Sequence, residues 1–155
     1  MKIMFVCTGN ICRSAMAHWM MVKKIEENNL KNIEVFSSGI YAQDGDTPTY
    51  EAIEVMKEYG IDLKKHRATN IVSSNIVDMD LILGMTVSHK QELIYLYPEL
   101  KGKIFTLKEY VNYDKEGCGN INIKDPWGFD IETYRACNAE IDKCLDLLIE
   151  KVKNK

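Results

Sequence analysis

Arginine is scarce in this chain: of 20 basic residues only Arg13, Arg67 and Arg135 are arginines, and the lysines form no block. With a formal net charge of −3, it lacks the clustered basic surface that a nucleic-acid backbone demands. Histidine is also sparse, with three in all, and none stands at a zinc-ligand spacing from a cysteine. No apolar run approaches the ~18 residues of a membrane span, and the N-terminal one is too short for a signal peptide. The five cysteines are odd in number and widely scattered, unlike a secreted disulfide scaffold. These absences predict reduced thiols, a cytoplasmic location, and no nucleic-acid or membrane partner. What remains is 155 residues with 46% hydrophobic content and no repeat or linker. That length suits one domain, residues 1–155, around a single core.

One of the rare arginines stands in an informative place. Cys7-Thr8-Gly9-Asn10-Ile11-Cys12-Arg13-Ser14 follows the apolar run Ile3 to Val6 and precedes a stretch with Met16, Met20 and Ile25 at helical intervals. The run reads as a buried strand and the stretch as a helix. A strand-to-helix turn aims backbone N–H groups at one spot, where the helix dipole adds positive charge, so an anion is favoured there. Arg13 would add a planar fork that can hold two oxygens of a phosphoryl group, and Gly9 would let the backbone approach it closely. Cys7 would lie at the bottom of this nest, where positive neighbours favour the nucleophilic thiolate.

A Cys-x5-Arg pair arises by chance in a chain of this composition with a likelihood of about 0.1, so the spacing alone decides little. The placement between strand and helix, with Gly9, Asn10 and Ser14 inside, separates it from a plain turn over a buried thiol. Ester cleavage also needs a proton donor for the leaving oxygen. Asp125, in Asp125-Pro126-Trp127, is the candidate, since Pro126 biases it toward extended backbone suited to reaching over a neighbouring site. The competing role is a cap for the helix that begins soon after.

Strands are expected near 2–7, 32–36, 79–84 and 103–106, alternating with helices near 14–28, 48–59, 87–96 and 130–152. The alternation predicts an α/β fold: a single doubly wound, flavodoxin-like domain with a four-stranded parallel sheet and helices on both faces. The Cys7 loop falls at the carboxyl end of the first strand, a topological switch point. Residues 108–127 read as the loop that delivers Asp125.

Cys7-Thr-Gly-Asn-Ile-Cys-Arg-Ser with a distant Asp125-Pro-Trp resembles the low-molecular-weight protein tyrosine phosphatases, which carry C-x-G-N-x-C-R-S near the N-terminus and D-P-aromatic near the C-terminus. Ser37-Ser38-Gly39, His66-Arg67-Ala68 and Asp80 to Met85 extend the likeness over nearly the whole chain. The resemblance implies that Cys7 is the nucleophile, Arg13 binds substrate and stabilises the transition state, and Asp125 is the general acid and then base. It implies phosphate contacts from Thr8, Gly9, Asn10, Ile11, Cys12 and Ser14, with Asn10 holding the loop and the Ser14 hydroxyl bonding the thiolate. Cys12 takes the place of a second thiol able to form a reversible disulfide with Cys7; a small buried residue is the other reading. Phosphorylated proteins would be the substrates, inorganic phosphate the product, no metal or cofactor would be needed, and a monomer is expected.

Three positions depart from the family pattern. Ala15 replaces a usual proline and His18 a usual glutamate, which predicts a less rigid first helical turn; His18 reads as a surface or packing residue. Around Tyr41 to Asp46 there is no tryptophan, so the aromatic wall of the substrate cleft falls to Trp127, with Tyr41 the other candidate. His66 reads as a brace for the loop, His89 as a helix-surface residue, and Cys137 and Cys144 as core thiols. Phe105 to Val111 and Thr47-Pro-Thr look like the bacterial branch that acts on phosphoarginine. That branch, however, carries threonine between Asn10 and Cys12, where Ile11 matches the tyrosine branch. Phosphotyrosine is therefore the expected substrate and phosphoarginine the alternative. A thiol-dependent arsenate reductase would need a relay of downstream thiols, for which Cys118, Cys137 and Cys144 are poorly spaced.

Overall fold

In a computed structural model describing residues 1–113 and 120–154, four strands form one parallel sheet in the order β2-β1-β3-β4. They are β1 (Lys2–Cys7), β2 (Glu34–Gly39), β3 (Leu81–Gly84) and β4 (Ile104–Thr106). Five α-helices accompany them: α1 (Arg13–Glu27), α2 (Tyr50–Lys57), α3 (Val87–Leu96), α4 (Leu107–Tyr110) and α5 (Ile131–Val152). This is the doubly wound, flavodoxin-like α/β order, and its switch point lies between β1 and β3 at their carboxyl ends. The second strand starts and ends later than the sequence suggests. Asn32 sits in the left-handed region at φ 65, which no extended strand admits, so β2 begins beyond it and Ser37-Ser38-Gly39 continue the ladder opposite Phe5 to Cys7.

Because side chains alternate along a strand, β1 feeds two separate cores. Ile3, Phe5 and Cys7 join α1, α2 and α5 residues such as Met16, Val55, Ile141 and Leu145 on one face. Met4 and Val6 join Ile82, Ile104, Leu93 and Leu100 on the other. Burying both faces removes both from water, which is why β1 is almost uninterruptedly apolar. The short helix α4 was not expected. Thr106 caps it through a reciprocal box with Glu109, whose backbone N–H it accepts at 3.0 Å while the Glu109 carboxylate accepts from the Thr106 N–H at 2.8 Å. No helix among the described residues is long and apolar enough to cross a membrane.

Candidate active site

Cys7 ends β1 and Arg13 begins α1, so the intervening loop folds over the end of the sheet. The first turn of α1 carries no acidic side chain to neutralise its N-terminus. Asn10 makes the turn possible: fully buried, it takes the left-handed conformation at φ 56, which asparagine tolerates better than most residues. Its side chain fastens both sides of the loop, with Oδ1 accepting the Thr69 N–H at 3.0 Å and Nδ2 donating to Ser14 Oγ at 2.8 Å. Ser14 Oγ lies 2.9 Å from Cys7 Sγ and 3.5 Å from the Ser38 carbonyl. Asn10 donates to this hydroxyl, whose own proton has the Cys7 sulfur and the Ser38 carbonyl within reach. The Asn10 backbone N–H also points to Cys7 Sγ at 3.3 Å. The Ser14 hydroxyl and the Asn10 N–H thus converge on one buried sulfur.

A second layer holds the loop from behind. The Asn10 carbonyl accepts from His66 Nε2 at 2.9 Å, and His66 Nδ1 accepts from the Trp19 indole at 2.9 Å. A carbonyl only accepts and an indole only donates, so this imidazole is neutral with its proton on Nε2. Burial, reinforced by the charge of Arg67, lowers its pKa in agreement. His18 stacks on Trp19 with ring centroids 4.5 Å apart and bonds Ser37 Oγ at 2.7 Å; burial lowers its pKa to about 3. It packs against the brace. Ala15 is fully buried.

Of the two glycines near the loop, Gly39 carries the packing constraint. A Cβ there would lie 2.5 Å from the Thr8 carbonyl oxygen and 2.9 Å from the Asn10 nitrogen, whereas one on Gly9 would meet only the Ile11 side chain, at 3.4 Å. Strand β2 therefore abuts the loop through the one residue without a side chain.

His89 departs from the surface position expected of it. It is buried, with Nε2 2.9 Å from Thr8 Oγ1 and Nδ1 3.0 Å from Thr86 Oγ1. Burial, then Arg13, lowers its pKa to about 4, so it is neutral near neutral pH. The Thr86 cap, accepting from the His89 backbone N–H at 3.1 Å, is the one signal in the sequence that α3 begins by turning this ring inward.

The other half of the site arrives from residues 120–127. Ile123 anchors this segment: its N–H bonds the Met85 carbonyl at 2.9 Å and its carbonyl accepts from Arg13 Nη1 at 2.9 Å. Asp125 follows two residues later, half-exposed, with Oδ2 3.5 Å from Arg13 Nη2 and Oδ1 accepting the Trp127 N–H at 3.1 Å. It does not cap α5; Asp130 does, accepting from the Thr133 N–H at 3.0 Å. Arg13 is buried, and its Nε finds no partner among the described residues. An unpaired buried donor of this kind is matched by an oxyanion.

Cys7, Thr8, Gly9, Ile11, Cys12, Arg13, Asp125 and Trp127 line a cavity of about 210 Å³. The expected residues thus come together except for three. Asn10 and Ser14 lie behind the wall as supports, and Tyr41 is not among the lining residues. Tyr41 instead projects away, its hydroxyl donating to Glu92 Oε1 at 2.7 Å. Burial and the adjacent Cys7 raise the Cys12 pKa strongly, so Cys12 is a protonated thiol beside the cavity. Burial also raises Cys137 and Cys144 to about 12 each; Cys118 lies outside the described residues. No cluster of potential metal ligands occurs among the described residues.

A parallel sheet with a cysteine–arginine loop at its switch point, faced by a carboxylate, defines an α/β thiol phosphatase. The profile of the family described as "Low molecular weight phosphotyrosine protein phosphatase" matches residues 2–155, and the chain belongs to that family. A curated relative, the protein-arginine-phosphatase of Geobacillus stearothermophilus, is 38% identical over 98% of this chain and 96% of its own length. The crystal structure of a low molecular weight protein tyrosine phosphatase from T. tengcongensis superposes with a TM-score of 0.88 at 40% identity, covering 98% of this chain and 99% of that one. A serine-for-cysteine mutant of the YwlE arginine phosphatase, solved with its active-site serine phosphorylated, superposes with a TM-score of 0.92 at 33% identity, covering 100% of this chain and 97% of the other.

Proposed function

We propose that the chain hydrolyses phosphotyrosine in proteins, with Cys7 as nucleophile, Arg13 as phosphate clamp and Asp125 as proton donor. The observation that carries this reading is the meeting of these three side chains on one cavity, although more than a hundred residues separate Asp125 from the loop. In the first step the Cys7 thiolate attacks phosphorus in line with the ester bond. The P–O bond breaks, and Asp125 gives its proton to the departing tyrosyl oxygen, leaving phosphocysteine and the dephosphorylated tyrosine side chain of the substrate protein. In the second step the Asp125 carboxylate takes a proton from water, whose oxygen attacks phosphorus. The S–P bond breaks and releases inorganic phosphate. Loop N–H groups and the Arg13 fork hold the charge on the equatorial oxygens throughout. Ser14 and Asn10 stabilise the sulfur as leaving group.

Ile11 supports the choice of phosphotyrosine over phosphoarginine. It gives the cavity an apolar wall suited to an aromatic ring and offers no hydroxyl to organise attack on a phosphoramidate, while Trp127 stands at the opening, 62% exposed. The likeness to the Geobacillus arginine phosphatase favours phosphoarginine as the second reading. Rates on matched phosphotyrosine and phosphoarginine peptides test the choice. The native chain should prefer phosphotyrosine, and Ile11→Thr should move the ratio toward phosphoarginine by about tenfold or more. Faster phosphoarginine turnover by the native chain would reverse the assignment. A cytoplasmic monomer acting on phosphoproteins belongs to the same reading, in keeping with free thiols at Cys7, Cys12, Cys137 and Cys144.

A further inference from the structure

A second concavity, of about 320 Å³, lies beside the first, with Ile40 and Ile71 at its base and Tyr41, Val72, Tyr95 and Leu96 around it. These four rim side chains are among the large apolar groups the molecule leaves in water; Tyr95 is 85% and Val72 81% exposed. Scattered exposed apolar residues need no explanation, but a contiguous set around a groove marks a contact surface.

The groove and the catalytic cavity are joined through one residue of each lining. Thr8 lines that cavity, and its carbonyl accepts the Tyr41 N–H at 3.0 Å. Thr8 Oγ1 also meets His89 at 2.9 Å, and His89, Glu92 and Leu96 follow one face of α3 at helical spacing. At 1.5 Å per residue, Glu92 lies about 4.5 Å and Leu96 about 10 Å farther along the axis than His89. An extended peptide advances about 3.3 Å per residue. For a peptide that leaves the cavity along α3, a side chain two or three residues from the one held over Cys7 is at the distance of the groove.

We propose that this groove is a docking subsite for the substrate polypeptide, taking an aliphatic side chain two or three positions from the phosphoresidue. The proposal rests on the phosphotyrosine reading above and extends it from the reacting group to the chain that carries it. Glu92, whose carboxylate holds the Tyr41 hydroxyl, places negative charge at the rim, so the subsite disfavours an acidic side chain at that position. Tyr41, which lines this groove and not the cavity, acts on the sequence around the phosphotyrosine, leaving its ring to Ile11 and Trp127.

The test uses phosphotyrosine peptides in an alanine background with one leucine two or three positions before or after the phosphotyrosine, alongside free phosphotyrosine. Leucine on one side, and only one, should raise kcat/KM by about tenfold over the all-alanine peptide. Val72→Asp and Tyr95→Ser, both at highly exposed positions that folding tolerates, should each abolish that advantage while leaving the rate on free phosphotyrosine unchanged. Equal rates on leucine and alanine peptides, or an advantage that survives both substitutions, would overturn the groove assignment alone. A native chain inert toward free phosphotyrosine would overturn the substrate reading, and the subsite with it. Sedimentation showing a native dimer that Val72→Asp dissociates would assign the groove to a second copy of the chain and overturn the proposal.

Discussion

The two halves of the candidate site are built in opposite ways. The Cys7–Arg13 loop is contiguous, buried at Cys7, Asn10, Cys12 and Arg13, and tied by Asn10, His66 and Gly39 to the elements behind it. The Asp125 segment reaches the cavity from far along the chain, is anchored at Ile123, and presents its carboxylate half in water. Rigidity thus sits under the sulfur and exposure at the carboxylate, which suits the roles proposed for them: charge held at the one, protons exchanged with a leaving group and then with water at the other.

The comparison can be broken first at its two reacting groups. Cys7→Ser should lower kcat by at least about four orders of magnitude on every substrate, because the nucleophile is lost. Asp125→Asn should cost about 10² to 10³-fold on phosphotyrosine. With p-nitrophenyl phosphate, whose departing oxygen needs little help from a proton, the cost should shrink severalfold; steady-state kinetics on both substrates measures the difference. An equal loss on the two would place Asp125 outside proton transfer.

The support behind the loop is tested by Gly39→Ala. The added methyl cannot fit against Thr8 and Asn10 without moving backbone, so unfolding in urea should show a loss of about 2 kcal/mol, with kcat falling alongside. The same substitution at Gly9, on the cavity side, should leave stability within about 0.5 kcal/mol.

A smaller effect comes from acid. His18 and His89 titrate at about 3 and 4 in the folded chain against an ordinary 6.5. Between those values the unfolded chain binds protons that the folded chain refuses. Their contribution to stability is therefore complete above about pH 6.5 and declines steadily as pH falls toward 4. Urea midpoints across that range measure the slope, and His18→Gln should flatten it.

The fold was largely legible because β1 and the helices after it follow simple periodicities, and because the Cys7 loop is local: eight consecutive residues hold the sulfur, the guanidinium and their asparagine and serine supports. Asp125 was legible only as a motif; its distance from Arg13 depends on Ile123 bridging to Met85 and Arg13, contacts that no local pattern announces. His89 was misplaced for the same reason. A histidine near the start of a helix faces outward by default, and beyond the local Thr86 hydroxyl it is Thr8, 81 residues earlier, that gives its ring a partner inside. Tyr41 lines the second concavity and not the first: an aromatic following the second strand has both within reach, and the hydrogen bond to Glu92 decides between them.

The chain has two tryptophans, and they report on opposite sides of the chemistry. The Trp19 indole is bonded to the imidazole that steadies the loop, while that of Trp127 stands in solvent at the rim of the cavity. Intrinsic fluorescence consequently contains two unlabelled signals, a solvent-exposed emitter that an anion at the opening would perturb and an interior one that would register distortion of the catalytic frame. Replacing either indole by phenylalanine isolates the other, so occupancy and strain can be followed separately in one cuvette.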